Sequence, residues 1–356
     1  MGFQKNVFIT GFPGFIATRL VNRLATPNVR FHLLVEPRYL SAALAQVERI
    51  RREKNLASDN FVFHEGDITK DFLGLPADSL ETMRGTVTDV FHLAAVYDLA
   101  VDANLAKMVN VQGTENINVF AASLQGLERY NYISTCYVAG RRTGRILESE
   151  LEHGAGFRNH YEETKYLAEL SVEKLKSSLP VTIIRPSVVV GDSMTGETVK
   201  YDGVYYLIKY LLLAPSLLRF INVGNSKVRL NLVPVDFVVE GIRVLSESPQ
   251  AIGKTLALAD PNPLTTEELF DAIALSSSGG PSLFTPPTAL IQAFLKSPIS
   301  PGLTGLPHSG VPYFFIEQEY DVTQSATILS GDDITCPSFD SYVERLISFA
   351  KNHPNL

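Results

Sequence analysis

Residues 6–20, "NVFITGFPGFIATRL", pass from a β-branched, apolar run directly into three small residues at fixed spacing, Gly11, Gly14 and Ala17. Such a junction has two readings. In one, the first glycine makes a tight turn, the second lets the backbone approach a pyrophosphate, and the third small residue lets helix and strand pack closely. In the other, a Gly-Pro turn merely joins a strand to a helix. The spacing G-x-x-G-x-x-A departs from G-x-G-x-x-G, so the rest of the chain has to decide. Beyond Gly14, the residues Phe15, Ile16, Leu20, Val21 and Leu24 recur at helical spacing, and a helix opened there aims its first amides at whatever lies above the strand.

Working outward, short apolar runs at 6–10, 31–35, 61–64, 89–94, 129–134 and 181–185 alternate with longer segments of helical period. That is the pattern of a doubly wound α/β fold, a parallel sheet covered on both faces. Past residue 190 the composition shifts, with breaks at 276–282, 285–288 and 297–307, while 229–245 reads as a strand end and a helix and 254–260 as a late strand. The expected division is a dinucleotide-binding domain of 1–190 plus about 226–261, and a smaller C-terminal substrate lobe of about 191–225 and 262–356.

Composition narrows the function. A net charge of −7 leaves no basic field for nucleic acid. The longest apolar run, at 204–214, contains Lys209 and stops at Pro215, short of the roughly 18 residues of a membrane span. Cys136 and Cys336 form neither a metal pattern nor a disulfide framework, so a reducing, cytoplasmic setting is expected. A small-molecule substrate fits this balance.

The fifth strand leads into "YISTCYVAG", and "HYEETKYLAE" later places Tyr161 four residues before Lys165. On a helix, that spacing stacks phenol and ammonium on one face, and a nearby ammonium would move the phenol toward neutral working pH. Spacing alone is weak evidence, since Tyr205 and Lys209 repeat it inside "YYLIK", where apolar packing with a surface lysine is the simpler reading. Context separates the copies. Tyr161 follows a strand ending in Ser134 and Thr135 and precedes "VTIIRPSVVVG", whose Pro186 and Ser187 fall at a strand's C-terminal end, where open parallel sheets bind ligands.

"TGFPGFIA", "GDIT", "FHLAAVYD", "NVQGT", "YISTCYVAG", "YEETK" and "RPSVVVGD" stand in the order and at the spacing of the extended short-chain dehydrogenase/reductases, which residues 5 to about 261 resemble. "STCYVAG", "DGVYYLIKYLL" and "LNLVPVDFVVEGI" are most similar to the branch holding fatty acyl-CoA reductases and thioester-reductase domains. The resemblance implies a Rossmann sheet with Gly11, Phe12, Gly14, Phe15 and Ile16 as the pyrophosphate loop. It places Asp67 and Ile68 beside the adenine and Ala94 and Ala95 along the adenosine ribose. Thr135 would bind the substrate carbonyl, Tyr161 donate the proton, and Lys165 grip the nicotinamide ribose and tune Tyr161. Asn110 would order the helix facing the site, although a buried polar residue satisfying backbone is its alternative reading. A turn aspartate is the alternative for Asp67, and a small core residue is the reading of Cys136.

Glu36 stands where that branch carries arginine for the 2′-phosphate of NADP; a carboxylate suits NAD, and Arg38 could supply the missing cation. NADP(H) is the favoured cofactor and NAD(H) the alternative. The expected activity is reduction of a carbonyl or acyl thioester, free or as a CoA or carrier-protein conjugate, of an apolar substrate. A nucleotide-sugar epimerase or dehydratase and a non-catalytic redox sensor are the rivals, and the sequence leaves a homodimer open.

Overall fold

The β-branched and aromatic runs form β1 (Lys5–Thr10), β2 (Val29–Val35), β3 (Phe61–Glu65), β4 (Asp89–His92), β5 (Arg129–Ile133), β7 (Val181–Pro186) and β10 (Thr255–Leu258) of one parallel sheet. The short strands β6 (Gly144–Ile146), β8 (Val188–Val190), β9 (Leu232–Pro234) and β11 (Gln318–Tyr320) make two parallel pairs, β6 with β11 and β8 with β9. This computed structural model describes residues 2–213, 221–278, 280–301, 308 and 310–355. The end of the apolar run at 214 and residues 302–307 of the expected break at 297–307 lie outside that set.

The sheet order is β10-β7-β5-β4-β1-β2-β3. Strand order therefore reverses between β1 and β4, and the crevice beyond their C-terminal ends is where such a sheet takes a ligand. Alternation along the strands fills both faces. Val7, Ile9, Phe31 and Leu33 pack with the helices Phe15–Leu24, Leu40–Lys54 and Val235–Glu247, while Phe8, Leu34, Val90, Tyr130 and Tyr132 pack with Gly113–Ser123 and His160–Glu173. Strands buried on both sides read as near-continuous apolar runs, which makes them legible. Their ends are less so: β4 stops at His92 rather than 94, and β10 at Leu258 rather than 260.

A third core gathers Val190, Tyr205, Ile208, Leu269, Phe270, Leu346 and Ile347. The C-terminal segment is not confined to it, because Ile328 and Leu329 enter the core of the central sheet. No helix among the described residues is long and apolar enough to cross a membrane.

Candidate functional site

The turn after β1 is shaped by contacts that exclude a Cβ. Gly11 sits at φ +84°, and a Cβ there would lie 2.9 Å from the Ala94 amide nitrogen. Gly14 donates its N–H to the Gly11 carbonyl at 2.7 Å, and a Cβ on Gly14 would meet that same oxygen at 2.6 Å. The constraint on Gly14 is thus the turn's own carbonyl, met before any ligand. Helix Phe15–Leu24 begins with no side-chain cap and no acidic residue in its first turn, so its leading amides are available to an anion. The cradle fits a dinucleotide pyrophosphate. Phe12 contributes only backbone to it, its ring being in the core, and Phe15 and Ile16 are half-buried against that core. Ala94 and Ala95 line the adjoining loop, which Thr10 fastens by accepting the amides of Leu93 at 3.2 Å and Ala94 at 3.1 Å.

Glu36 lies just beyond β2, and Arg38 folds back onto it, Nη2 to Oε2 at 2.8 Å, with both side chains largely exposed. Asp67 accepts the Thr69 amide and hydroxyl, each at 2.8 Å, and so closes its own turn. The expectation for Ile68 needs correction. Its side chain is buried in the core, close enough that a Cβ on Gly113 would lie 2.6 Å from Cδ1, so only its backbone remains for an adenine.

The second cluster stands at the ends of β5 and β7. Burial pushes the Tyr161 phenol up to about 12, with the nearby Thr135 hydroxyl acting in the lowering direction. This is opposite to the tuning expected from Lys165. The ammonium instead donates to Tyr132 Oη and to the Ile133 carbonyl, both at 2.9 Å, and burial pushes it down to about 7 despite the attraction of Glu169. Asn110 is a clamp. It accepts the Val96 amide at 2.9 Å, donates to the Val96 carbonyl and to Thr164 Oγ1, both at 3.0 Å, and lies in a π-helical turn, Lys107–Gln112. It ties the loop after β4 to the Tyr161 helix. Pro186 ends β7, and the buried Ser187 donates to the Asn231 carbonyl at 2.7 Å. Cys136 is buried with its thiol donated to the Arg185 carbonyl, and burial pushes it up, as a core residue requires.

Residues 9–242 match the family model described as Male sterility protein, an NAD-binding family. The chain belongs to that family. Its relatives include the fatty acyl-CoA reductase wat of Drosophila melanogaster, 26% identical over 275 residues, covering 67% of this chain and 53% of that protein. Another is the aldehyde reductase lnaA of Aspergillus flavus, 25% identical over 301 residues, covering 77% and 27%. The chain spans about half the length of the fly reductases it matches. Among solved structures, the terminal R domain from the myxalamid PKS-NRPS biosynthetic pathway superposes with a TM-score of 0.84 at 24% identity, covering 100% of this chain and 92% of that one. The UDP-glucuronic acid 4-epimerase of Bacillus cereus, solved with NAD, gives 0.68 at 17%, covering 98% and 97%. These two likenesses show the fold, a parallel Rossmann-like sheet flanked by helices.

In this Male sterility family member, two buried charges beside the cluster are not apparent from the sequence. Glu162, next to Tyr161, is fully buried and accepts Arg158 Nη1 at 3.1 Å and the Tyr313 hydroxyl at 2.6 Å, while Tyr313 stacks on Tyr137. Glu169 receives Arg185 Nε at 2.9 Å and the Ser134 hydroxyl. Helical spacing from Tyr161 and Lys165 puts both carboxylates on the helix, but only the tertiary partners reveal them as buried.

Proposed function

We propose that this chain is an NAD(P)(H)-dependent reductase acting on a carbonyl or acyl thioester. The observation that carries the reading is Tyr161 placed near Thr135, with the buried Lys165 one helical turn away, at the same C-terminal edge of the sheet as the turn of Gly11 and Gly14. Bound there, the nicotinamide supplies the hydride. Thr135 and Tyr161 hold the carbonyl oxygen, and Tyr161 gives up its proton as the oxygen gains charge, a transfer worth about 10²–10⁴-fold in rate. Lys165 has three N–H donors, two of them engaged, which leaves one for the ribose. A thioester reduced this way collapses from hemithioacetal to aldehyde and releases its thiol.

A CoA or carrier-protein thioester with an apolar acyl group is the favoured substrate class. From 272 to 316, Lys296 is the single Lys, Arg, Asp or Glu in the sequence, which supports an apolar ligand on the C-terminal side. Division into a sheet domain and a substrate lobe, and a cytoplasmic setting, belong to the same reading. NADP(H) is preferred, with Arg38 turning from Glu36 to the 2′-phosphate; Glu36 bonding the ribose hydroxyls instead is the NAD(H) form of the proposal. Oxidation of NADPH and NADH is to be followed with acyl-CoAs, aldehydes and nucleotide sugars. Aldehyde or alcohol formed from the first two supports the reading. Turnover of nucleotide sugars alone, or cofactor binding with no turnover, overturns it.

A further inference from the structure

Behind Lys165 lies a buried cluster of polar side chains whose hydrogen bonds can be given a direction donor by donor. Thr10 Oγ1 accepts two amides, so its own hydrogen goes to His92 Nδ1, 2.8 Å away. His92 is therefore protonated on Nε2, which donates to Thr114 Oγ1 at 3.0 Å. Thr114 spends its hydrogen on the Asn110 carbonyl at 2.6 Å and is left as an acceptor for His92, whose ring packs against Tyr132 with centroids 5.6 Å apart. The Tyr132 oxygen in turn accepts from the Lys165 ammonium at 2.9 Å. Tyr132, His92, Thr114 and Thr10 are all essentially buried.

We propose that Tyr132 is a positioning residue for Lys165, its oxygen fixing the nicotinamide-side ammonium while its ring packs on His92, which is hydrogen-bonded to Thr10 immediately before the pyrophosphate turn. The inference rests on the reading of Lys165 as the group that meets the nicotinamide ribose. The geometry gives Tyr132 two jobs. Its oxygen fixes where Nζ stands, and by accepting from the ammonium it favours the charged form that burial disfavours. The other titratable groups facing Lys165 are Glu169 on the next turn of its own helix, Tyr161 one turn before, and His92 on β4, which burial and the lysine's charge keep neutral.

The test is the pH dependence of NADPH binding, read from the cofactor's own emission because the chain contains no tryptophan. Affinity falls as pH rises through the Lys165 value of about 7, where the ammonium loses its proton. Tyr132→Phe removes an acceptor from that ammonium and is expected to move the midpoint down by about one pH unit, with weaker binding at pH 7. Tyr132→Leu, which also lacks the oxygen, is expected to move it the same way, and this variant decides the matter if Tyr132→Phe does not fold. Tyr130→Phe is the control. It loses a buried hydroxyl from the same strand, bonded to Asn118 Oδ1 at 2.7 Å and not to Lys165, and should leave the midpoint in place. The proposal is overturned if Tyr132→Phe, or Tyr132→Leu in its stead, titrates like Tyr130→Phe. A Lys165→Met variant that retains the wild-type midpoint instead overturns the underlying placement of Lys165. The titration of the 2′-phosphate itself is common to every variant and cancels.

Discussion

Tyr161 with Lys165 and Tyr205 with Lys209 share one spacing on two helices, His160–Glu173 and Val204–Leu213, yet they stand in different parts of the fold and their lysines meet different partners. The Tyr161 phenol faces a side-chain hydroxyl, Thr135, at the C-terminal end of the sheet, and Lys165 is buried with two acceptors. The Tyr205 phenol accepts a backbone amide, that of Gly191 at 2.9 Å, inside the third core, and Lys209 lies over the Tyr201 ring at 4.6 Å. A phenol committed to a backbone amide caps a turn. One that stands at the C-terminal edge of the sheet is placed to meet a ligand. The spacing is therefore permissive, and the sheet supplies the function.

Removing each phenol in turn tests this most severely. Tyr161→Phe is expected to lower turnover by about 10²–10⁴-fold with cofactor affinity nearly unchanged, while Tyr205→Phe keeps its rate. Equal losses in steady-state assays would mean that the wrong copy has been chosen. The next largest effect concerns the crevice that only the first copy adjoins. Gly14→Val puts a branched side chain against the Gly11 carbonyl and should cost the dinucleotide about a hundredfold in affinity by calorimetry, through loss of amide contacts to an anion. An unchanged affinity in the folded variant would return the turn to a plain strand-to-helix connection.

Smaller effects sharpen the contrast. Arg38→Ala should weaken NADP(H) by about tenfold and leave NAD(H) almost untouched, the low end for a charged contact because the pair with Glu36 is exposed. If Glu36→Gln costs NAD(H) binding while Arg38→Ala leaves the preference as it was, the protein is an NAD enzyme. Tyr205→Phe strands the Gly191 amide, so denaturant unfolding should show about 1–3 kcal/mol lost. Lys209→Met, on the half-exposed partner, should change stability by no more than about 0.5 kcal/mol.

The sheet was legible because doubly buried strands concentrate β-branched and aromatic residues, and the turn because Gly11 and Gly14 sit where no side chain fits. Thr135, Tyr161 and Lys165 were legible because strand ends and helical spacing place them together. What the sequence concealed depends on partners far along the chain. Nothing near Gly144–Ile146 announces its pairing with Gln318–Tyr320, and nothing in "YISTCYVAG" announces that Tyr132 is an acceptor for Lys165. Ile68 was set beside an adenine by motif alone, whereas the close packing of Gly113 turns its side chain inward. The expected lowering of the Tyr161 phenol failed for a related reason: helical spacing brings an ammonium into range, but the buried acceptors on β5 decide where it settles.

The hydroxyl of Tyr313 reaches Glu162 across 151 residues of sequence. Anyone recombining this chain to change its substrate inherits that bond as a constraint on where the seam can fall. A chimera that imports a foreign segment in place of Val311–Phe315 exchanges more than a binding wall. Unless it restores a donor at that point, it leaves a buried carboxylate beside Tyr161 one hydrogen bond short, a loss of about 1–3 kcal/mol next to the reacting atoms. Swaps that keep the tyrosine should therefore outlast swaps that do not, whatever the size of the ligand they were built to admit.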